Sequence, residues 1–262
     1  MTSTSVARHL YAAERHEQIV AAARAAGRVD VVELAEQLGV TPETIRRDLT
    51  SLERGGLVRR VHGGALPVAP AEDEPTFLER QGRATGEKGR IALAALNLVP
   101  ASGVVLLDAG TTTQALAQLL PIRPGLTVVT NSVAIAAALT DRSDLTVHML
   151  GGPVRERTGA AVGSWAVRAL EEMAVDVAFL GTNGFSVERG FTTPDDAEAD
   201  VKRAMVQCAR RVVVLADASK AGLAQFRRFA APGDVDVLIT DERLDDETAE
   251  ALEEAGPEVL RT

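Results

Sequence analysis

The sequence predicts an α/β protein in two parts, and three observations carry that prediction. From about residue 103 onward there are six continuous apolar runs, "GVVLLD", "LTVVT", "LTVHML", "VDVAFLG", "RVVVLAD" and "VDVLIT", separated by mostly helical segments. Buried parallel strands joined by crossover helices produce that texture. Before residue 66, apolar positions instead recur at helical spacing and end on a short alternating stretch. Between the two, "PVAPAEDEP", Pro67 to Pro75, holds three prolines and three acids with no apolar periodicity, the composition of a linker. The expected domains are therefore 1–66 and 76–262, with 67–75 joining them.

With 262 residues, 46% of them hydrophobic and 25% charged, the chain is long enough for one substantial core and a smaller one. The single cysteine, Cys208, excludes an intramolecular disulfide framework and a cysteine-cluster metal site, and fits a reducing compartment. The first dozen residues lack an uninterrupted apolar stretch, and no window offers about 18 consecutive apolar residues, so neither a signal peptide nor a spanning helix is expected and the cytoplasm is the expected location. Charge is uneven. Residues 1–66 hold nine arginines against eight acids, net +1, and the rest holds nineteen basic against twenty-nine acidic residues, net −10. An acidic body repels nucleic acid over most of its surface, so any such binding depends on local placement of arginines in the first module.

The elements of that module follow in order. Glu14 to Ala26 is alanine-rich and helical, with Ile19, Val20 and Ala23 on one face and Gly27 as its stop. "DVVELAEQLG" is a second helix, with Asp30 as its cap, Glu33 completing a capping box, Leu34 and Leu38 facing inward and Gly39 ending it. A third begins after Thr41, a capping residue, with Pro42 at the first helical position, where its missing N–H costs nothing. Ile45, Leu49 and Leu52 at i, i+4 and i+7 turn its stripe to the core, which sends Thr44, Arg46, Arg47 and Thr50 to other faces. The helix closes at "RGG", and "LVRRVHGGALP" then alternates like a β-ribbon with a Gly-Gly turn.

Helix, helix, short turn, helix and basic ribbon form the plan of a winged helix-turn-helix, whose last helix enters the major groove of double-stranded DNA. Arg46 and Arg47, with Thr41 and Thr44 at the start of the same helix, are the expected groove contacts, and Arg59, Arg60 and His62 the expected phosphate contacts of the wing. A solvated helix pair with surface arginines is the plainer reading of "IRRDL" alone; the caps, the turn "GVTP" and the ribbon together argue against it.

The stretch "RHEQIV…LAEQLGVTPETIRRDLTSLERGGLVRRVHGGA" resembles the DeoR family of bacterial transcription regulators. The resemblance implies that this helix reads operator DNA, usually to repress a sugar-utilisation operon.

In the second domain, ligands of an open parallel sheet sit beyond the carboxyl ends of the strands, and the residues there are small and polar: Asp108–Thr113, Thr130–Ser132, Gly151–Gly152, Gly181–Gly184 and Asp217–Lys220. Gly110 admits close backbone approach, and Thr111, Thr112 and Thr113 open the helix "TQALAQLL", where free N–H groups and the helix dipole favour a phosphate. Thr111 as a simple cap is the alternative. Lys220 can meet a phosphate or a sugar hydroxyl, or simply be solvated. Thr130, Ser132 and Thr182 are ligand candidates, Asn131 and Asn183 are ligand groups or turn residues, and Gly151, Gly152, Gly181 and Gly184 are close-approach points or left-handed turns. Five polar strand ends together point to a site, with Asp108 and Asp217 in it. "RER" at Arg155–Arg157 reads as exposed loop charge that, following the Gly-Gly end, could also reach a phosphate, His148 as a packed or edge residue, and Trp165 and Cys208 as helix packing or interface; no metal site and no cofactor are expected.

This half also resembles the DeoR sensor domain, whose fold is similar to ribose-5-phosphate isomerase, through "DAGTTT", "VVTNS", "LGGPV", "FLGTNG", "VKRAM" and "VLADASK". The resemblance adds Lys202 of "VKRAM" to the candidate site and implies a phosphorylated sugar as effector. It also raises a sugar-phosphate isomerase as the rival. Aldose–ketose interconversion needs a carboxylate and a cation at the reacting carbons. In the isomerases a "DGADE"-like motif follows the strand equivalent to "VDVAFLG"; here Thr182 and Asn183 stand there, the nearest cation is Arg189, and only Asp195 and Asp196 are close in sequence, so no catalytic residue is assigned. A winged helix alone contacts too few bases for selective binding, so a dimer or higher even-numbered homo-oligomer held by the larger domain is expected.

Overall fold

A computed structural model describes residues 12–26, 28–54, 57–61, 63–67, 74–122 and 124–262. The chain forms two compact units, Met1–Asp73 and Glu74–Thr262. Gly27 and Gly55–Gly56, expected as helix stops, lie outside the described residues, as do His62 and the side chain of Arg59.

The first unit has helix α1 (Ala12–Ala26), strand β1 (Val29–Asp30), helices α2 (Val31–Leu38) and α3 (Pro42–Arg54), and strands β2 (Val58–Val61) and β3 (Gly64–Pro67). The strands form one antiparallel sheet in the order β1-β3-β2. Ile19 and Ala23 of α1, Leu34 of α2, Ile45, Leu49 and Leu52 of α3 and Val58 of β2 pack into one core, as the helical spacing requires. Each such aliphatic stabilises the unit by about 1.5–3 kcal/mol. Asp30 caps α2 by accepting from the Val32 and Glu33 N–H groups, and Gly39 ends it at φ +63°. The expected capping box is reduced to this one-sided cap.

The same core holds a charge that the pattern of α3 did not reveal. Asp48, directly after Arg46 and Arg47, points inward to Arg15 and to His16 Nε2 on α1. Burial pulls its carboxyl upward, but the hydrogen bonds from Arg15 and His16 outweigh that and hold it below the usual carboxylate range. This pair fixes the rotation of α3 about its axis, and so which residues it offers outward. Asp48→Ala should cost about 2–3 kcal/mol at neutral pH, because the Arg15 guanidinium loses a charged partner in the interior. The loss should shrink as pH falls through the carboxylate range, since the wild-type bond then weakens too. Urea unfolding at pH 7 and pH 3 measures both.

The second unit opens with α4 (Phe77–Gln81) and α5 (Thr85–Ala95), then β4 (Gly103–Leu107), α6 (Thr111–Leu119), β5 (Leu126–Thr130), α7 (Val133–Leu139), β6 (Leu145–Met149), the small hairpin β7 (Val154–Arg155) and β8 (Ala160–Ala161), and α8 (Ser164–Glu171). There follow β9 (Val177–Gly181), β10 (Gly184–Ser186), β11 (Gly190–Thr193), α9 (Asp196–Cys208), β12 (Val212–Leu215), β13 (Arg227–Ala230), β14 (Val237–Thr240), α10 (Asp246–Ala255) and β15 (Glu258–Arg261). Seven strands make one all-parallel sheet in the order β15-β14-β12-β9-β4-β5-β6. Alternate residues of β4 explain the continuous apolar runs: Val105 and Leu107 pack under α5, α6 and α7, while Leu106 joins the opposite cluster under α8, α9 and α10.

Two features depart from the sequence reading. The expected sheet had six strands, and β15 adds a seventh at its edge. Segments expected to be mostly helical also include the antiparallel sheet β10-β11-β13, which buries Phe185, Phe191 and Phe229. Two residues expected in the linker belong to the structure of the units. Pro67 closes β3, and Glu74 is buried in the second unit, with its carboxylate against Arg155.

Candidate functional site

The strand order changes direction between β4 and β9: from β4 the chain crosses to β5 and β6, and from β9 to β12 and β14. A crevice opens beyond the carboxyl ends of adjacent strands at such a switch point. Here it is lined by Ala109, Gly110, Thr111 and Thr112 after β4, by Gly181, Thr182 and Asn183 after β9, by Glu198 and Lys202 of α9, by Lys220 after β12, and by Arg80 of α4. The free space is about 20 Å³, room for roughly one water molecule.

Gly110 occupies the N-cap of α6 in an extended conformation and supplies no side-chain cap, so Thr111 is not the cap. A methyl group at Gly110 would sit 3.1 Å from Thr113 Oγ1. The first turn of α6 therefore presents its N–H groups to the crevice. The same crevice is lined by Arg80, which sequence reasoning missed. Its Nε and Nη2 are buried and, among the described residues, without a hydrogen-bond partner. Lys88 holds α4 in place by donating from Nζ to the Arg80 and Arg83 carbonyls, the latter at 2.6 Å. Burial pushes the Lys88 ammonium below its ordinary value.

Lys220 Nζ donates to the Thr182 carbonyl at 2.8 Å and lies 4.0 Å from Asp217. Burial chiefly, then the charges of Arg80, Lys88 and Lys202, push its ammonium down to about 8 against the attraction of Asp217. Below pH 8 the lysine is protonated in folded and unfolded chains alike, and the folded state carries the full cost. Between pH 8 and about 10.5 only the unfolded chain holds the proton, so this group's contribution to stability should rise with pH across that window. The rise is at most about 3 kcal/mol, and less because the side chain is 23% exposed. Lys220→Met should remove it, which paired melting curves across the window would show.

Other expected residues support the crevice, some of them without lining it. Asp108 pairs with Lys202 and accepts the Gly181 N–H at 3.0 Å, and Lys202 also donates to the Gly181 carbonyl at 2.9 Å. Thr113 donates to the Asp108 carbonyl, Thr130 donates to the Leu107 carbonyl, and Ser132 caps α7. Asn131 Oδ1 accepts the Ala109 N–H at 2.8 Å, which holds the loop before Gly110. Asp217 Oδ1 accepts from Ser219. Gly151, Gly152 and Gly184 lie outside the lining. Of the four glycines read as possible left-handed turns, Gly152 has that conformation, at φ +137°. Gly184 is required by proximity, since a methyl group there would meet the Leu223 carbonyl oxygen at 2.4 Å.

Arg155 is not loose loop charge: it is held by Glu74 at 2.6 Å, Asp195 at 3.0 Å and Glu198 at 3.1 Å. Glu198 also accepts from Thr158 and Thr193. Asp195 caps α9, and Asp196 pairs with Arg227 at 2.8 Å. The carboxylates considered for proton transfer are thus occupied in structure. His148 is exposed on the edge strand β6, and Trp165, at 67% exposure, is not packed. Burial raises the Cys208 thiol.

In the first unit, Arg46, Arg47, Thr50 and Arg60 share a concave surface with Glu43 and Ser51. Thr41 Oγ1 accepts the Thr44 N–H at 3.2 Å, which fixes the start of α3. Arg46 pairs with Glu43 at 3.2 Å, and Arg60 reaches back from β2 to donate to Thr50 Oγ1 at 3.1 Å. The wing arginine is thereby placed beside the helix arginines. Among the described residues, no group of His, Cys, Asp and Glu is arranged to hold a metal ion, and no helix is long and apolar enough to cross a membrane.

An arginine-faced helix with a β-ribbon, followed by a parallel α/β domain with a cationic crevice, defines a nucleic-acid-binding module joined to a sensor-type domain. The sequence matches the DeoR-like helix-turn-helix domain over residues 15–70 and the DeoR C-terminal sensor domain over residues 83–242. It is 40% identical to the HTH-type transcriptional regulator GlpR of Haloferax volcanii, over 95% of this chain and 97% of that one. It is 32% identical to the HTH-type transcriptional repressor GlcR of Bacillus subtilis, over 97% of each. Solved structures with partial overlap include a probable sor operon regulator from Shigella flexneri, with 13% identity, 78% and 97% coverage and TM-score 0.42, and a ribose 5-phosphate isomerase from Methanocaldococcus jannaschii, with 19% identity, 51% and 53% coverage and TM-score 0.38. The chain belongs to the DeoR family: it is a DNA-binding transcriptional regulator, not an enzyme.

Proposed function

We propose that this regulator is a cytoplasmic repressor of a sugar-utilisation operon, whose hold on operator DNA is modulated by a phosphorylated sugar in the crevice between β4 and β9. One observation carries the effector assignment: Arg80, whose buried Nε and Nη2 have no hydrogen-bond partner among the described residues, lines the same crevice as the uncapped N-terminus of α6 and Lys220. A guanidinium fork, helix N–H groups and an ammonium recognise a phosphoryl group. Asn183, Glu198 and the Thr112 hydroxyl line the remaining space and suit sugar hydroxyls. The repressor reading is supported by relatives named as repressors, among them GlcR and a putative aga operon repressor of Escherichia coli O157:H7 at 33% identity. Operator contacts fall to Arg46, Arg47 and Arg60, with Thr41, Thr44, Arg59 and His62 as further candidates from the sequence.

Thermal unfolding in the presence of sugar phosphates and their unphosphorylated counterparts tests the effector. A ligand at about one hundred times its dissociation constant adds about 2.7 kcal/mol. Stabilisation by a sugar phosphate and not by the matching free sugar is the expected result. Equal stabilisation by both would remove the phosphate from the proposal.

A further inference from the structure

Helix α3 carries three acidic residues among its arginines, and the fold engages two of them elsewhere. Asp48 turns into the core to meet Arg15 and His16, and Glu53 accepts the Arg60 N–H of the wing at 2.9 Å. Glu43 is placed differently. It lies on the concave surface with Arg46, Arg47, Thr50 and Arg60. Its side chain is 71% exposed and accepts at 3.2 Å from Arg46, itself 52% exposed.

An acid in the first turn of a helix is ordinary, because it meets the positive end of the helix dipole. An acid among three arginines that address a polyanion is not, since a carboxylate there opposes every phosphate that approaches. The start of a recognition helix is also the part that reaches base edges. At this start Thr41 Oγ1 is engaged with the N–H and hydroxyl of Thr44, and Pro42 has no polar side chain. The next side chain along the helix is Glu43.

The chemistry of its head decides what it can meet. An ionised carboxylate has only acceptors. In the major groove guanine offers N7 and O6 and thymine offers O4, all acceptors, whereas cytosine offers the N4 amino donor and adenine sets its N6 donor beside the acceptor N7. When Arg46 turns from Glu43 to a guanine edge, the carboxylate loses its partner in a groove from which water is being displaced. A cytosine amino group replaces that partner; at other sequences the charge stays unpaired.

We propose that Glu43 is a specificity-determining residue that selects a cytosine in the operator, at or next to the base pair read by Arg46. The two side chains satisfy each other off the DNA, and satisfy a cytosine and a guanine on it. This rests on α3 entering the groove.

Selection of tight-binding duplexes from a randomised pool by the full-length wild type supplies a target sequence. Fluorescence anisotropy on each single-base variant of that target gives the base preferences. The wild type should lose about 5- to 150-fold in affinity when one particular cytosine is replaced, the equivalent of about 1–3 kcal/mol. Glu43→Gln should move the preference at that position to adenine, whose N6 donates to and N7 accepts from a carboxamide. Glu43→Ala should level it. Both should hold a scrambled duplex more tightly than the wild type and with a steeper salt dependence, since Arg46 is then free to contact phosphate. If neither variant folds, Glu43→Asp, with the charge on a shorter arm, should show the cytosine preference weakened. Folded variants with wild-type preferences at every position, or with affinity lowered equally for all sequences, would overturn the proposal. The Arg46 and Arg47 double variant distinguishes the two readings. If it too keeps the wild-type preferences, α3 does not enter the groove; if it loses them while the Glu43 variants keep them, only the role of Glu43 falls.

Discussion

Arg80→Met is expected to give a chain that unfolds at a higher temperature than the wild type and no longer responds to its effector. The two results have one cause. Nε and Nη2 of Arg80 are buried and, among the described residues, have no hydrogen-bond partner. A buried group left in that condition costs about 1–3 kcal/mol, more when charged. Methionine keeps an apolar stem at this position of α4 and discards the unsatisfied head. The gain of about 1–3 kcal/mol should raise the melting temperature by about 2–4 °C per kcal/mol for a unit of this size. On the ligand side the same change removes two charge-assisted hydrogen bonds at about 1.5–3 kcal/mol each, a loss of about 10²- to 10⁴-fold in affinity. Arg80→Lys should fall between, since an ammonium supplies charge without the planar fork. Calorimetric titration with a sugar phosphate, beside melting curves of the unliganded proteins, measures both sides. A variant that is less stable and still binds would show that Arg80 is structural.

Replacing Arg46 and Arg47 together with alanine should abolish selective operator binding. Each arginine that reads a guanine edge contributes about 1–3 kcal/mol of discrimination, so the pair contributes about 2–6 kcal/mol if the two act independently. Arg46 must leave Glu43 to do so, but that exposed pair contributes at most about 1 kcal/mol. The single variants should lose selectivity at different base pairs. Arg60→Ala should instead weaken all sequences alike and lower the salt slope by about one, the signature of a phosphate contact. Fluorescence anisotropy with operator and scrambled duplexes at several salt concentrations distinguishes these outcomes. Operator affinity unchanged in the double variant would remove α3 from the groove.

Much of this was readable before any coordinates. The i, i+4, i+7 stripe of Ile45, Leu49 and Leu52 dictated which side of α3 is buried, and the continuous apolar runs dictated a parallel sheet covered on both faces. The loops Gly110–Thr112 and Gly181–Asn183 were found because polar residues at strand ends are a local signal. What escaped was non-local. Arg80 sits in a short polar segment without periodicity, and only the fold carries α4 to the mouth of β4. Arg155 looked like exposed loop charge, and Glu198 gave no signal, because a sequence does not show that each is the other's partner. Thr130, Asn131 and Ser132 had the right polarity for ligand groups, but their hydrogen bonds go to the protein's own backbone. Polarity at a strand end marks a ligand contact or a loop support equally well. The strands β10, β11 and β15, of three or four residues each, are too short to show a pattern.

The crevice in the unliganded protein holds about one water molecule's worth of space, far less than a sugar phosphate occupies. With the proposed sugar phosphate as effector, entry waits for the walls to part, and the wall that carries Arg80 is α4, the first helix after residues 68–73. Time then enters the response. The observed binding rate should climb with effector concentration and level off at the rate of opening, instead of rising in proportion. A brief pulse of metabolite shorter than that opening time would pass without effect, while a sustained supply would be registered. Stopped-flow mixing over a wide concentration range would show the plateau, and its height would set the shortest signal that the regulator can follow.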